Sequence, residues 1–214
     1  MDLLTETGML GCKLADTPIK MNHKLCEDID QEPTNKEQNL HLVRRLIYLA
    51  HTRPDIAYVM SVISQFMHSP SISHRNAVDQ ILRYLKSALR KGLMLSKNGD
   101  LEVVGYTDAN WASSITDKRS TSGYFTFMGE KQMELHCDNK LANNIAHNSV
   151  QHDQTKHVEV DRHFIKEKIE KKIICQPFVK SEDQLADILT KAVCGRVFHD
   201  SLTKLGIGDI YAQT

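Results

Sequence analysis

Leu101-Glu102-Val103-Val104-Gly105-Tyr106-Thr107-Asp108-Ala109-Asn110-Trp111-Ala112 begins with β-formers and runs out into an aspartate followed by small and polar groups. This predicts a strand over Leu101–Tyr106 that delivers Asp108 just beyond its carboxyl end. The stretch divides two patterns. Before it, apolar residues recur at helical spacing. From Gly92 onward, short strand-like runs alternate with helical ones, so the reading there is α/β with a mixed sheet.

Upstream, Thr34 followed by Glu37 fits a capping box. Leu42, Val43, Leu46, Ile47, Leu49 and Ala50 follow at helical spacing. Pro54 holds Arg53 extended, which stops that helix near Thr52. Pro54 is itself suited to open a second helix as its first residue. This helix carries Ile56, Val59, Met60, Val62, Ile63, Phe66 and Met67, is apolar nearly all round, and is expected to be buried until Pro70 ends it. Ser71 or Ser73 caps a third helix with Ala77, Val78, Ile81, Leu82, Leu85 and Leu89 on one face, and Gly92 fits its C-cap. Residues 1–33, with Pro18 and Pro33 as breakers, predict a short helix and then irregular chain.

Downstream, Leu93–Leu95 reads as a strand, and Asn98-Gly99 is a hairpin turn signal before Leu101. Ser113–Ser122 is a polar loop, and Tyr124–Met128 and Met133–Cys137 are strands. Asn139–His147 and Val158–Lys171 are helical. Ile173–Val179 is a strand that Pro177 confines to an edge or a bulge. Glu182–Val193 and Val197–Leu205 close the chain as helices.

Three aspartates sit where chemistry is commonly placed. Asp108 follows one strand, Asp138 ends another just before a helix, and Asp187 lies in the first turns of the helix opened by Glu182 and Asp183. Carboxyl ends of parallel strands face a common crevice. Carboxylates gathered there repel one another unless a cation bridges them, and hard oxygen donors suit Mg²⁺ or Mn²⁺. An aspartate at a strand end is also a common turn former or helix cap, so spacing alone leaves both readings open.

The 214 residues carry 27 Lys plus Arg against 27 Asp plus Glu, so bulk charge makes no case for a nucleic-acid or membrane partner. Hydrophobic content of 41% is enough for a sizeable core. No apolar run approaches bilayer length, and Met1–Leu10 carries two acidic groups and no basic one, unlike a secretory or transit peptide. Five cysteines with no C-x-x-C pair read as reduced thiols, which places the chain inside the cell, in cytoplasm or nucleus. His152, His157 and His163, with Asp161, are the one zinc candidate, although a full ligand set at the usual spacing is not evident. Lys156, Arg162, Lys166, Lys168, Lys171 and Lys172 form the only local basic run, interleaved with glutamates as on a solvated helix face. Trp111 suits stacking on a nucleotide or packing in the protein.

Several segments together resemble copia-type retrotransposon Pol polyproteins. Leu46-Ile47-Tyr48-Leu49-Ala50-His51-Thr52-Arg53-Pro54-Asp55-Ile56, Ser64-Gln65-Phe66-Met67-His68 and Ile81-Leu82-Arg83-Tyr84-Leu85-Lys86 resemble the region between the polymerase and the nuclease. Gly105–Ala112, Ser120-Thr121-Ser122-Gly123-Tyr124 and Cys137-Asp138-Asn139-Lys140 resemble the first, second and fourth strands of the family's ribonuclease H domain. Thr155–Phe164 and Gln184-Leu185-Ala186-Asp187-Ile188-Leu189-Thr190-Lys191 complete the set, in the expected order. The resemblance implies a helical connection remnant at 1–91 and a ribonuclease H-like domain at 92–214, with a mixed sheet flanked by helices. It implies Asp108, Asp138 and Asp187 as catalytic and metal-ligand positions, Mg²⁺ or Mn²⁺ as cofactor, and an RNA–DNA hybrid as partner.

One part of that pattern is missing. Phe127-Met128-Gly129-Glu130 runs almost directly into Met133-Glu134-Leu135, where the family has a third strand and a helix bearing a further catalytic glutamate. Glu134, four residues before Asp138 on one strand, is roughly 13 Å away and cannot share its metal. Glu130 lies further back, and no counterpart of the polymerase aspartates is present. Residues 129–132 span roughly 13 Å when extended, enough to cross two strand spacings of about 9.5 Å in all. The family order of strands is therefore possible, and so is a local hairpin of 122–128 with 133–138. In the family order, one sheet face and one edge are left open, which favours aggregation. The expectation is an incomplete, inactive ribonuclease H-like domain with impaired metal binding. The alternatives are an active hybrid-specific nuclease and a repurposed nucleic-acid-binding module.

Overall fold

The computed structural model describes residues 2–26, 32–94, 104–110, 120–127, 133–147 and 165–211. It has a mixed α/β architecture, as the residue pattern predicts.

The amino-terminal part is helical. After α1 (Asp2–Glu6) come α2 (Lys36–Ala50), a 3₁₀ turn at Pro54–Ile56 leading into α3 (Ala57–Ser64), and α4 (Ile72–Ser87). The cap of α2 is Asn35, whose side chain accepts from the Gln38 N–H at 3.1 Å. Thr34 is drawn away from that role because its N–H donates to the Pro70 carbonyl. α3 stops before Phe66 and Met67, which lie in the turns that follow. Ser71 forms the capping box of α4 with His74, whose Nδ1 accepts from the Ser71 N–H at 3.1 Å. An irregular strap lies along α4, tied by Lys86 Nζ to the Cys12 carbonyl and by Gln80 Nε2 to the Thr17 carbonyl.

Leu46, Ile56, Ile63, Val78, Ile81 and Leu82 are almost wholly buried between these helices. The same apolar cluster takes in Leu185, Ile188, Phe198, Leu202, Leu205 and Ile207 from the far end of the chain. The core therefore runs across residue 91. Phe198 meets the ring of Tyr84 edge-on, with centroids 5.6 Å apart. Gly92 is not a helix cap: Ala88 holds that position, and Gly92 lies in β1 (Lys91–Leu93). β1 pairs antiparallel with β6 (Ile207–Asp209), and a side chain at Gly92 would collide with Ile210. The strand expected at Leu93–Leu95 is thus displaced toward Lys91, and its partner is β6. Asn98-Gly99 lies outside the described residues.

Inside the helical core sits one ionic network. Arg53 donates to both carboxylate oxygens of Asp55, at 2.9 and 2.6 Å, and to the Ala88 carbonyl at 3.2 Å. The Tyr84 hydroxyl donates to Asp55 Oδ2 at 2.6 Å. Asp55 is thereby satisfied although its side chain has no solvent exposure. Burial, with the charge of Asp55, pushes the Tyr84 hydroxyl far above its ordinary range.

The second part is a four-stranded mixed sheet of β2 (Val104–Asn110), β3 (Thr121–Phe127), β4 (Met133–His136) and β5 (Ile174–Cys175). Their order is β3-β2-β4-β5, with β3 antiparallel to β2 and the other neighbours parallel. β4 pairs with β2, so the local hairpin of 122–128 with 133–138 does not form. β2 thus lies between β3 and β4. β5 is an edge strand, and Pro177, lacking an N–H, interrupts it before a bridge resumes at Phe178. β3 is the other edge, and Ser122, Tyr124 and Thr126 on its outer face are exposed.

α5 (Lys140–His147) follows β4, and residues 165–170 are helical; the remainder of the expected 158–171 helix lies outside the described residues. The helix expected over Glu182–Val193 is broken into a 3₁₀ turn at Ser181–Asp183 and α6 (Asp187–Thr190). Gln184 causes the break. It is buried in an extended conformation, its Nε2 donates to the Thr107 carbonyl at 3.0 Å, and its Oε1 accepts from the Ala186 N–H. α7 (Gly195–Lys204) closes the fold.

Arg53→Met strands the Asp55 charge in the core and is expected to cost about 3–5 kcal/mol. Tyr84→Phe removes one bond to a carboxylate that keeps its arginine, and is expected to cost about 1.5–3 kcal/mol. Urea unfolding of both variants measures the difference; equal losses would show that Arg53 is not the principal partner.

Candidate functional site

β2 and β4 run parallel with Tyr106 level with His136. Their rings stack at 4.8 Å between centroids, with nearly parallel planes. Two residues further along each chain, on the same face, come Asp108 and Asp138. The parallel register therefore sets these two carboxylates side by side: Asp138 just beyond β4, and Asp108 inside β2, which runs on to Asn110 because it stays paired with β3, and not beyond the strand end as the residue pattern predicts. Asp187, the first residue of α6, completes the group. One carboxylate oxygen from each of Asp108, Asp138 and Asp187 lies within 4.8 Å of the others. Among the described residues, no other three His, Cys, Asp or Glu side chains bring ligand atoms this close together.

α6 reaches this position because β3 carries Gly123 opposite Asp108. A Cβ at Gly123 would lie 2.6 Å from Leu189 Cβ and 3.3 Å from Thr190 Cγ2, so only a residue without a side chain lets α6 seat here. Thr190 then donates its hydroxyl to Asp108 Oδ2. Ser181 donates to Asp138 Oδ2 at 2.9 Å, and Lys191 Nζ lies 2.9 Å from Asp187 Oδ1.

Burial raises the Asp187 carboxyl to about 6; Lys191 opposes this, and the charges of Asp108 and Asp138 add to it. Burial works to lower the Lys191 ammonium, but its bond to Asp187 and the three surrounding carboxylates hold it above its ordinary value. Three hard oxygen donors in this space fit a divalent cation.

All three aspartates singled out in the sequence are therefore brought together. Gly123, Ser181, Gln184, Thr190 and Lys191 were not singled out on chemical grounds. A lone glycine within a strand pattern signals close backbone approach, and Lys191 follows Asp187 at the i,i+4 spacing of a helical ion pair, so both left a trace. Ser181 and Gln184 left none. Glu134 points to its own strand neighbour, His136, at 3.4 Å, while Glu130 lies outside the described residues. His152, His157, Asp161 and His163 lie outside them too, as do Trp111, Lys156 and Arg162. In the rest of the basic run, Lys166 pairs with Glu170 and Lys171 with Glu167, as a solvated helix face does.

The chain is 30% identical to the retrovirus-related Pol polyprotein from transposon RE1 of Arabidopsis thaliana, over 97% of this chain and 17% of that protein. It is 28% identical to the Pol polyprotein from transposon TNT 1-94 of Nicotiana tabacum, over 89% of this chain and 18% of that protein. The chain is similar to copia-type retrovirus-related Pol polyproteins over nearly its whole length. It is also 33% identical to the uncharacterized mitochondrial protein AtMg00240 of Arabidopsis thaliana, over 36% of this chain and 70% of that one. No family model and no solved structure matches it. The chain spans less than a fifth of the Pol relatives' length. Its alignment to the RE1 polyprotein runs over 254 positions, while 97% of 214 residues supplies about 208 of them, so about 46 positions have no counterpart here. These gaps fall within the aligned span of this chain. No helix among its described residues is long and apolar enough to cross a membrane.

The raised Asp187 carboxyl takes up a proton on folding between its ordinary value of 3.8 and about 6. Its contribution to stability therefore falls as pH rises through that window. Asp187→Asn is expected to melt at a higher temperature than wild type at pH 7, with the gain shrinking toward pH 4; a pH-independent gain would remove burial of the charge as its cause. Gly123→Ala forces α6 off the sheet and is expected to cost about 1–3 kcal/mol in chemical unfolding. An unchanged midpoint would mean that α6 gives way freely.

Proposed function

We propose that this chain is a retrotransposon-derived Pol fragment whose residues 92–214 are a truncated ribonuclease H-like domain that keeps a cation site and has lost turnover. The observation that carries this reading is the convergence of Asp108 on β2, Asp138 just after the parallel β4, and Asp187 at the start of a short helix. Residues 1–91 are read as the remnant of the polymerase connection. The missing third strand and helix are assigned to 129–132, between β3 and β4. Gaps totalling about 46 alignment positions against the RE1 polyprotein leave room for a strand and a helix together.

Asp108, Asp138 and Asp187 would hold Mg²⁺ or Mn²⁺, which supplies Lewis-acid polarisation of a phosphate oxygen when bound. Thr190 and Ser181 fix two of these carboxylates by donating to them, leaving their remaining oxygens for the cation. Phosphodiester cleavage of this type commonly uses two cations roughly 3.5–4 Å apart, which needs more shared oxygen ligands than a single cation does. The resemblance places the further carboxylate on the segment that is missing. An RNA–DNA hybrid is the partner such a surface would have served, although the chain carries no net positive charge to hold one.

Incubation of the full chain with end-labelled RNA–DNA hybrid in Mg²⁺ and in Mn²⁺ is expected to give no cleavage. Cleavage that disappears in Asp138→Asn would make the chain an active nuclease and end this reading. Salt-sensitive retention of intact hybrid would instead identify a binding module.

A further inference from the structure

The three-aspartate cluster already has a cation beside it. Lys191 Nζ lies 2.9 Å from Asp187 Oδ1, and the Asp187 side chain is only 6% exposed, against 39% for Lys191. Asp187 opens α6 and Lys191 caps its carboxyl end. The Lys191 N–H donates to the Asp187 carbonyl at 3.0 Å, so the backbone that presents the carboxylate also presents the ammonium. The charges of Asp108 and Asp138 act on this ammonium together with that of Asp187. It is thus the counter-ion of the whole group.

A divalent cation held by the three aspartates needs an Asp187 oxygen as ligand, and it would lie within a few ångströms of the ammonium. At that range a doubly charged cation and an ammonium repel each other strongly, because the partly dry surroundings screen them poorly. Lysine is a point charge on a flexible stem, and the partial exposure of Lys191 leaves it a path to water. We propose that Lys191 is the resident counter-ion of the cluster and that a divalent cation binds there only by displacing it. The inference rests on the cation-site reading above and adds a lysine that sets metal affinity. Metal binding then moves one side chain from the carboxylates to solvent, and the cost of breaking that ion pair weakens the site.

The test uses the full chain with Mn²⁺ alone. Binding is followed by electron paramagnetic resonance of free Mn²⁺, and Lys191 accessibility by acetic anhydride labelling read by mass spectrometry, with exposed Lys36 as internal reference. Saturating Mn²⁺ is expected to raise Lys191 labelling several-fold relative to Lys36. Lys191→Met is expected to bind Mn²⁺ about tenfold more tightly, and Lys191→Arg, which keeps the charge, within about twofold of wild type. The labelling experiment on the wild-type chain stands even where Lys191→Met does not fold. If Mn²⁺ binds, is lost in Asp138→Asn, and leaves Lys191 labelling unchanged, the lysine proposal is overturned while the cation site survives. If neither wild type nor Lys191→Met binds Mn²⁺, both fall together.

Discussion

Leu189 and Thr190 occupy the space that a side chain at Gly123 would fill, and the carboxyl-terminal half of the molecule is organised by that close approach. The segment 184–190 is gripped from two sides. Leu185 and Ile188 belong to the core shared with the helices, while Gln184 bonds the Thr107 carbonyl and Leu189 lies against β3. Side-chain packing on one flank and a backbone acceptor on the other hold a seven-residue stretch that would be too short to persist as a helix alone. Through it the sheet is fastened to the helical core, and Asp187 is carried to the strand ends.

The cluster that results sets one electrostatic problem and solves it locally. Three carboxylates within 4.8 Å repel one another. Parallel pairing of β2 with β4 sets Asp108 and Asp138 close regardless of that cost, because strand register is fixed by backbone bonds and not by side-chain charge. The relief comes from donors on the segment around α6: the hydroxyls of Ser181 and Thr190 and the ammonium of Lys191. A buried charge elsewhere in the molecule is handled by the same means, since Asp55 is enclosed by Arg53 and Tyr84.

Much of this arrangement is legible in the amino-acid sequence. Leu46, Ile56, Val78 and Leu82 declared buried helix faces by their spacing, and Asp108 and Asp138 declared themselves by following strand-like runs. What local pattern misread was decided by distant partners. Gly92 has the look of a helix stop, yet it serves a strand because β6, more than a hundred residues later, pairs with it. Glu182–Val193 has helical composition, and it breaks at Gln184 because a carbonyl on β2 claims that side chain. Thr34 lost its capping role to a carbonyl at Pro70. Propensity is a weak prior against such partners.

β1 and β6 lie at the two ends of a long detour. The Met94 N–H bonds the Gly206 carbonyl at 2.9 Å, and the Ile210 N–H bonds the Arg90 carbonyl at 2.9 Å, so the chain leaves the helical core and comes back within one hydrogen bond of where it left. Topologically the sheet is an insertion into the helical unit, closed at its neck by a two-stranded clasp. The free energy of closing such an excursion depends only weakly on its length, changing by about 0.6 kcal/mol for each doubling. Material can therefore be gained or lost within the excursion while the neck stays shut. In molecular terms, this clasp lets the length of the excursion vary while its two ends stay joined at one core.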